Sequence, residues 1–410
     1  MTITEAICWT VVLIVAIQTG FTLAFAAIMF RKRTPANPAY TPKAAILLCL
    51  RGADPFLEQC IARLLDQDYP DYELHVVVDS LTDPAQAILQ AFEFNSRLHV
   101  HILKDPAESC SLKCSSIIQA VRELDPSFEV IALCDADSTP HRTWLAELVA
   151  PLARENVGAT TGNRWYDPPT ATGGSIVRYL WNVPTAINMI LLRIAWGGSL
   201  AIRRRVIDET GLLEKWSTAL CEDTMLFSVL RRHGYRQVFV PSVMMVNRES
   251  CTFGDLMQWI PRQLLTAKLY HPSWPATVGY GIISVIVPFL AVALAAIGVV
   301  QSDAGAIRTA VIVFVGFELS NLLLVGLCQW AASRQIASSR VMPASLGLTS
   351  WIMLPVWIVF AQLISPLTFI KCFFTKTISW RGIEYRIRGR QIQRETYSPY
   401  RESATETQSL

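Results

Sequence analysis

Hydrophobic positions along this chain fall into two regimes. In four places they continue almost unbroken: residues about 7–30, which carry no charge, then about 276–300, 309–331 and 344–370. Each run is near or above the roughly 20 residues that cross a bilayer core as a helix. Between about residues 40 and 250 charges return and the runs shorten. That block has the length of one globular domain.

Inside the block, short apolar runs alternate with amphipathic stretches. Ala44–Leu50, Leu74–Val78, Leu98–Leu103 and Val130–Cys134 are continuous enough to be buried strands. Residues 55–65 repeat apolar side chains at helical spacing (Phe56, Leu57, Cys60, Ile61, Leu64, Leu65). Residues 84–94 and 111–124 also read as helices, and Asp68–Tyr72 as a turn. Strand and helix in alternation predict an α/β domain with a mostly parallel sheet covered on both faces. Thr185–Trp196 is apolar but short for a span, which predicts an interfacial helix.

Composition sharpens the membrane reading. Hydrophobic residues make up 52% of the 410 and the mean hydropathy is +0.33, high for a soluble protein of this length. The first run lacks a basic segment before it and has Arg31-Lys32-Arg33 after it, so it reads as a retained anchor rather than a cleaved signal. The positive-inside rule then puts the globular block in the cytosol, at the inner membrane if the cell is bacterial. The net charge of +3 leaves no footprint for nucleic acid. Ten scattered cysteines, with Cys110 and Cys114 the nearest pair and no matching second pair or histidine beside them, predict reduced thiols rather than a disulfide or cysteine–zinc framework. The polar stretch after Arg394 is expected to be disordered. The sequence sets no oligomeric state.

Candidate chemistry sits at strand ends. Asp79 follows the second strand, and Asp135-Ala136-Asp137 follows the fourth. Carboxylates at i and i+2 suit a hard cation held against a phosphate, and they equally suit a turn. In parallel sheets ligands sit beyond the carboxyl ends of strands, where all three fall.

Taken in order, these residues resemble the opening of nucleotide-sugar glycosyltransferases with a GT-A (Rossmann-like) fold. The resemblance rests on Asp54-Pro-Phe-Leu-Glu-Gln-Cys60, Leu65-Asp-Gln-Asp-Tyr-Pro70, Val76-Val-Val-Asp79-Ser80 and Thr82-Asp83. It continues through Lys113, Asp135-Ala-Asp137, Gly197-Gly-Ser-Leu-Ala-Ile-Arg203, Glu222-Asp223 and His233-Gly-Tyr235, over residues 43–265. The run is similar to that of the membrane-bound, family 2-type inverting branch, which includes ceramide glucosyltransferases and cellulose synthases. The resemblance implies Asp79 on the nucleobase, Asp135 and Asp137 on Mn²⁺ or Mg²⁺, and Lys113 near the nucleotide. It implies Glu222-Asp223 as the acidic pair with Asp223 as general base, and Gly197-Gly198 as a close backbone approach to the donor sugar or acceptor. Cys221 precedes the pair where many relatives have Thr or Ser.

A Gln-x-x-Arg-Trp-like motif has its nearest match in Gln258-Trp-Ile-Pro-Arg262-Gln263. The spacing is one longer and Gln263 stands in place of Trp. By the resemblance Gln258 and Arg262 serve the nucleotide diphosphate. The missing Trp favours single transfer to a lipid over polymer synthesis, although Trp259 is a possible substitute.

The expected organisation is an anchor (1–33), a cytosolic GT-A domain (40–250), an interfacial helix region (251–275), C-terminal spans (276–372) and a basic, polar cytosolic tail (373–410). The expected activity is inverting transfer of a hexose, glucose foremost, from a UDP-sugar to a ceramide-like membrane lipid. The rivals are a processive polysaccharide synthase and a non-catalytic membrane scaffold or lipid-binding protein. One conflict stands: three crossings after residue 275 would put the tail outside, yet it carries Lys371, Lys376, Arg381, Arg386, Arg388, Arg390 and Arg394. Pro355 and Pro366 leave the fourth run open to being re-entrant.

Overall fold

The computed structural model describes residues 2–32, 37–167, 172–338 and 347–400. Arg33 of the basic cluster and residues 401–410 lie outside them. The chain opens with α1 (Ile3–Met29), started by a capping box in which Thr2 and Glu5 exchange hydrogen bonds at 3.1 and 2.8 Å. Then come β1 (Ala44–Leu50), α2 (Leu57–Leu65), β2 (Tyr72–Val78), α3 (Ala85–Gln90), β3 (Leu98–Ile102), α4 (Leu112–Glu123), β4 (Val130–Cys134), α5 (Trp144–Val149), β5 (Val157–Thr161) and β6 (Arg164–Tyr166). After α6 (Gly173–Leu192) follow β7 (Ser199–Arg203), α7 (Arg204–Thr210), α8 (Leu212–Trp216), α9 (Leu226–Arg232), β8 (Arg236–Phe239) and β9 (Met245–Asn247). The rest is α10 (Phe253–Tyr270), α11 (Trp274–Val300), α12 (Ala304–Ser338), α13 (Leu348–Phe374), β10 (Thr377–Trp380), β11 (Ile383–Arg388) and β12 (Gln391–Arg394).

Seven strands form the main sheet in the order β3-β2-β1-β4-β7-β5-β8. All neighbours are parallel except β7, which is antiparallel to β4 and β5. The central strands are buried on both faces, β4 throughout, which is why they read as unbroken apolar runs. Chain order leaves β1 in one direction to β2 and β3 and restarts on its other side at β4. The crevice of such a sheet opens at that reversal, beyond the carboxyl ends of β1 and β4.

Two helices lie between the sheet and the apolar helices. The segment expected as an interfacial helix at Thr185–Trp196 is the last part of a longer helix, α6, whose buried face starts at Ile176, Val177, Tyr179 and Leu180. It ends at Arg193 with φ 58°. The second, α10, starts with a capping box from Thr252 to Asp255.

Among the described residues, four helices are long and apolar enough to cross a membrane: Ile3–Met29, Trp274–Val300, Ala304–Ala337 and Trp351–Phe374. The last parts of α1 and α12 are fastened to the globular domain. Trp165 Nε1 donates to Gln329 Oε1 at 3.0 Å, Tyr179 OH donates to the same atom at 2.9 Å, and Phe25 stacks on Trp165. The opposite ends meet around Ile7, Leu294, Ala306 and Ala310.

The tail conflict bears on the course of α13. Leu348 follows Ser338 by ten residues, a reach of at most about 35 Å. Helix α12, 35 residues long, spans about 50 Å. The start of α13 therefore cannot be at the far end of α12. Its middle packs on the domain-side helices, with Phe360 against Phe253 and the Trp357 ring against Gly173. Its end is held there by Lys371 Nζ on the Met257 carbonyl at 2.9 Å and Lys268 Nζ on the Cys372 carbonyl at 3.1 Å. The end of α13 is thus fastened on the domain side, while its middle also reaches α12, where Gln362 Nε2 donates to Glu318 Oε2 at 3.3 Å.

The segment after α13 is not a loose tail. β10, β11 and β12 form an antiparallel sheet, ordered by apolar Ile378, Ile383, Tyr385 and Ile392 on its buried side. The disorder expected after Arg394 does not begin there. Tyr397 OH donates to the Asp79 carbonyl at 3.2 Å and the Tyr400 N–H donates to Asp79 Oδ2 at 2.9 Å. Polar composition concealed two tyrosines with partners in the domain.

Candidate active site

One cleft opens beyond β1, β2 and β4, and α10 and the β10–β11 turn wall it. Each strand end contributes in turn: Arg51 after β1, Asp79 after β2, Asp135 and Asp137 after β4. Helix α4 starts at Ser111, whose hydroxyl caps the Cys114 N–H at 3.1 Å, and this start aims Lys113 inward. Lys113 Nζ is 2.6 Å from Asp135 Oδ1 and 2.8 Å from Glu222 Oε1. The second contact is an ion pair without hydrogen-bond alignment, since Glu222 Oε1 is otherwise unpartnered. Asp223 accepts the Gly197 N–H at 2.8 Å on Oδ2 and the Thr224 hydroxyl at 2.8 Å on Oδ1. Cys221 Sγ is 3.2 Å from that same hydroxyl.

The two glycines before β7 are required by space. A Cβ on Gly197 would overlap the Glu222 carboxylate, and one on Gly198 would overlap the Trp196 ring and Asp135. Gly198 therefore backs Asp135.

Burial sets the proton affinities. Burial alone would raise Asp135, but Lys113 beside it holds this carboxyl below its ordinary range. Lys113 is pulled down by burial and raised more by Asp135 and Glu222, so it keeps its charge. Burial pushes Glu222 up to about 7, with Lys113 opposing and Asp223 adding to the rise. Asp137 is pushed up to about 6 by burial, which Arg164 only partly offsets and which Asp135, Asp54 and Glu249 reinforce. Its Oδ2 is 3.3 Å from Arg164 Nη1 and 3.1 Å from Asn247 Nδ2. Asp135 and Asp137 thus offer hard oxygens in a crowd of carboxylates whose charge is not fully met, a donor set that fits Mn²⁺ or Mg²⁺.

A cationic wall faces these carboxylates. Arg381 pairs with Asp54 at 2.6 Å. Arg262 lies over the Trp380 ring at 5.2 Å, and among the described residues no carboxylate comes within ion-pair distance of it. Burial, with Arg381 and Arg164 adding to it, lowers Arg262 to about 10, so it stays protonated at neutral pH. A half-buried guanidinium without an anion is a receptor for one. Asp79 tells the complementary story. Its Oδ2 is taken by Arg51 at 2.5 Å and by the Tyr400 N–H, while its Oδ1 is buried without a partner.

Asp79, Lys113, Asp135, Asp137, Glu222, Asp223 and Arg262 all line this cleft. Gln258 does not. It is exposed on α10, one residue and about 100° from the inward row of Trp259, Arg262, Gln263 and Thr266. Arg51, Arg164, Trp196 and Arg381 are among the contributors not expected from sequence. Arg381 has no site role in the sequence reading. Arg164 follows β5 by three residues at a strand end, a position that could have flagged it.

The model of the family described as "Glycosyl transferase family 21" matches residues 7–392. A ceramide glucosyltransferase of Komagataella phaffii (strain GS115 / ATCC 20864) is 34% identical over 86 residues, 21% of this chain and only 17% of that protein's length. Among solved structures, the mannosyltransferase PcManGT from Pyrobaculum calidifontis, in complex with GDP-Man and Mn²⁺, superposes at TM-score 0.50 and 18% identity. That superposition covers 91% of this chain and 99% of that one, and it shows the GT-A fold with its appended helices. Glucosyl-3-phosphoglycerate synthase from Mycobacterium tuberculosis, solved with Mn²⁺ and UDP-glucose, matches at TM-score 0.35 and 15% identity over 55% of this chain and 77% of that one.

Proposed function

The chain belongs to glycosyl transferase family 21, and from that premise we propose that it is a metal-dependent inverting glycosyltransferase. It moves a hexose, glucose foremost, from a UDP-sugar to the hydroxyl of a ceramide-like lipid at the cytosolic membrane surface. The observation that carries this reading is the cleft itself. Five carboxylates at the strand ends and the loop before α9 share it with a half-buried Arg262 that has no carboxylate partner among the described residues.

In this reading the unpartnered Asp79 Oδ1 accepts the N–H of the nucleobase. Lys113 and Arg262 neutralise the diphosphate. Asp135 and Asp137 hold Mn²⁺ or Mg²⁺, which offsets charge developing on the leaving diphosphate when bound. The acceptor hydroxyl attacks the anomeric carbon as the bond to the diphosphate breaks, and Asp223 takes the hydroxyl proton. Direct attack inverts the sugar. The Gly197 N–H and Thr224 hydroxyl fix Asp223 so that its carboxylate is presented in one orientation.

The membrane arrangement follows from α13. Helices α1, α11 and α12 cross, α13 lies in the cytosolic interface with Ile352, Val356, Leu363 and Leu367 toward lipid, and the basic segment 376–400 returns to the cytosol. That count satisfies the positive-inside rule with one crossing fewer than the sequence pattern implies.

Membranes carrying Asp223→Asn or Asp137→Ala are expected to lose transfer of labelled sugar from UDP-glucose to extracted lipid by about 10²-fold or more. Wild-type transfer by either variant would overturn the proposal. Trp259 in the cleft, packed edge-on against Tyr166 and Trp181, keeps a processive synthase as the second reading. A ladder of oligosaccharide products would favour it over a single glycolipid.

A further inference from the structure

At the end of the sheet away from the cleft, Glu73 and His75 on β2 and His99 on β3 turn toward one point. Strand pairing dictates this: His75 and His99 are register partners, and Glu73 and His75, two apart, share a face. Their ligand atoms all lie within 4.8 Å of one another. Glu73 Oε2 is 3.3 Å from His75 Nε2 and 3.0 Å from His99 Nε2. Tetrahedral zinc bonds of about 2.0–2.1 Å give ligand-to-ligand edges of about 3.3 Å, so the two edges at Glu73 suit an ion, and the third is within 4.8 Å.

The proton count makes the same demand. His101 Nδ1 is 3.5 Å from Glu123 Oε2, and His101 Nε2 is 3.1 Å from His75 Nδ1. A carboxylate only accepts, so a neutral His101 carries its proton on Nδ1 and accepts at Nε2. His75 must then donate from Nδ1, which leaves its Nε2 as a lone pair facing the Glu73 carboxylate. The Nε2 atoms of His75 and His99 are both buried without an aligned hydrogen-bond partner. Lys43 Nζ, 3.3 Å away, serves only the other Glu73 oxygen. Facing lone pairs call for a cation between them. A chain from carboxylate to histidine to histidine is also the outer support that fixes the tautomer of metal-binding imidazoles.

We propose that Glu73, His75 and His99 form a second metal site, for Zn²⁺, separate from the Asp135–Asp137 pair. Two imidazoles and one carboxylate select zinc over Mg²⁺, and the partial exposure of Glu73 and His99 leaves a face for water as fourth ligand. The ion ties β3, an edge strand with one neighbour, to β2.

The test is Co²⁺ titration of the full chain in detergent, read by visible absorption and by displacement with Zn²⁺. Wild type and Asp137→Asn are expected to show one equivalent of tetrahedral Co²⁺ bands, because the donor-side carboxylates make no such site. His99→Ala and, independently, Glu73→Gln should lose the bands or weaken the affinity by about tenfold or more. A Zn²⁺-dependent rise in melting temperature should follow the same pattern. Absence of bands in wild type, or their survival in both variants, would overturn the site and leave the family-based reading of the cleft untouched.

Discussion

Glu222 is the residue on which the cleft's pH behaviour turns. Its carboxyl is raised by burial to about 7 in the folded chain, against about 4.5 in the unfolded one. The folded state therefore binds this proton more tightly. The group's contribution to stability is complete below about pH 4.5 and is lost as pH rises through about 7. The expected outcome is a melting temperature that declines from pH 5.5 to 8 in scanning fluorimetry. Glu222→Gln, which fixes the neutral form, should flatten that decline. An unchanged slope would remove Glu222 as its source. Single residues also show where reading from sequence stops. Asp79, Asp135 and Asp137 were visible because strand ends are visible, and Asp223 through the family resemblance alone. Arg164 and Arg381 were not, because a cation earns its place in a site only through partners that come from distant segments.

At the scale of elements, α10 decides how the cleft meets its substrate. Its row of Trp259, Arg262 and Gln263 points inward because the capping box at Thr252 sets its start and 3.6 residues per turn set the rest. Arg262→Ala should weaken UDP binding by about ten- to a hundredfold, the size of a lost hydrogen bond to a charged group. Arg262→Lys should fall between, since it keeps charge without the fork. Isothermal titration would measure both, and an unaltered affinity would assign Arg262 to packing on Trp380. β1 and β4 were readable to the residue, because burial on both faces erases polar positions. The displaced Gln258 was not, since one added residue in a motif rotates everything after it. α6 was half seen for a different reason: its first turns carry Arg178 and Tyr179, polar side chains buried through partners no local pattern shows.

For the whole molecule, hydropathy gave the number of apolar helices and could not give their directions. The proposed in-plane course of α13 rests on its fastened C-terminal end, a tertiary contact that hydropathy does not show. A cysteine at Lys376 should react with a membrane-impermeant maleimide only from the face where the globular domain lies, and one at Gln301 only from the opposite face. Reaction of both from one face would return α13 to a crossing helix. The wild-type chain supplies the background, as eight of its ten cysteines are buried.

The grip of Tyr397 and Tyr400 on Asp79 has a kinetic consequence. Asp79 is only 3% exposed, and the cleft encloses about 200 Å³, short of the roughly 300–1,000 Å³ usual for a ligand pocket. The donor then meets a protein whose receptive form is a fraction of the total, and its apparent dissociation constant is the intrinsic one divided by that fraction. Entry should therefore saturate: at high UDP the observed binding rate should level off at the frequency with which residues 397–400 withdraw. A chain ending at Glu395 should bind UDP more tightly and without the plateau in stopped-flow fluorescence. Weaker binding by that shortened chain would mean that the tyrosines hold the base rather than guard its place.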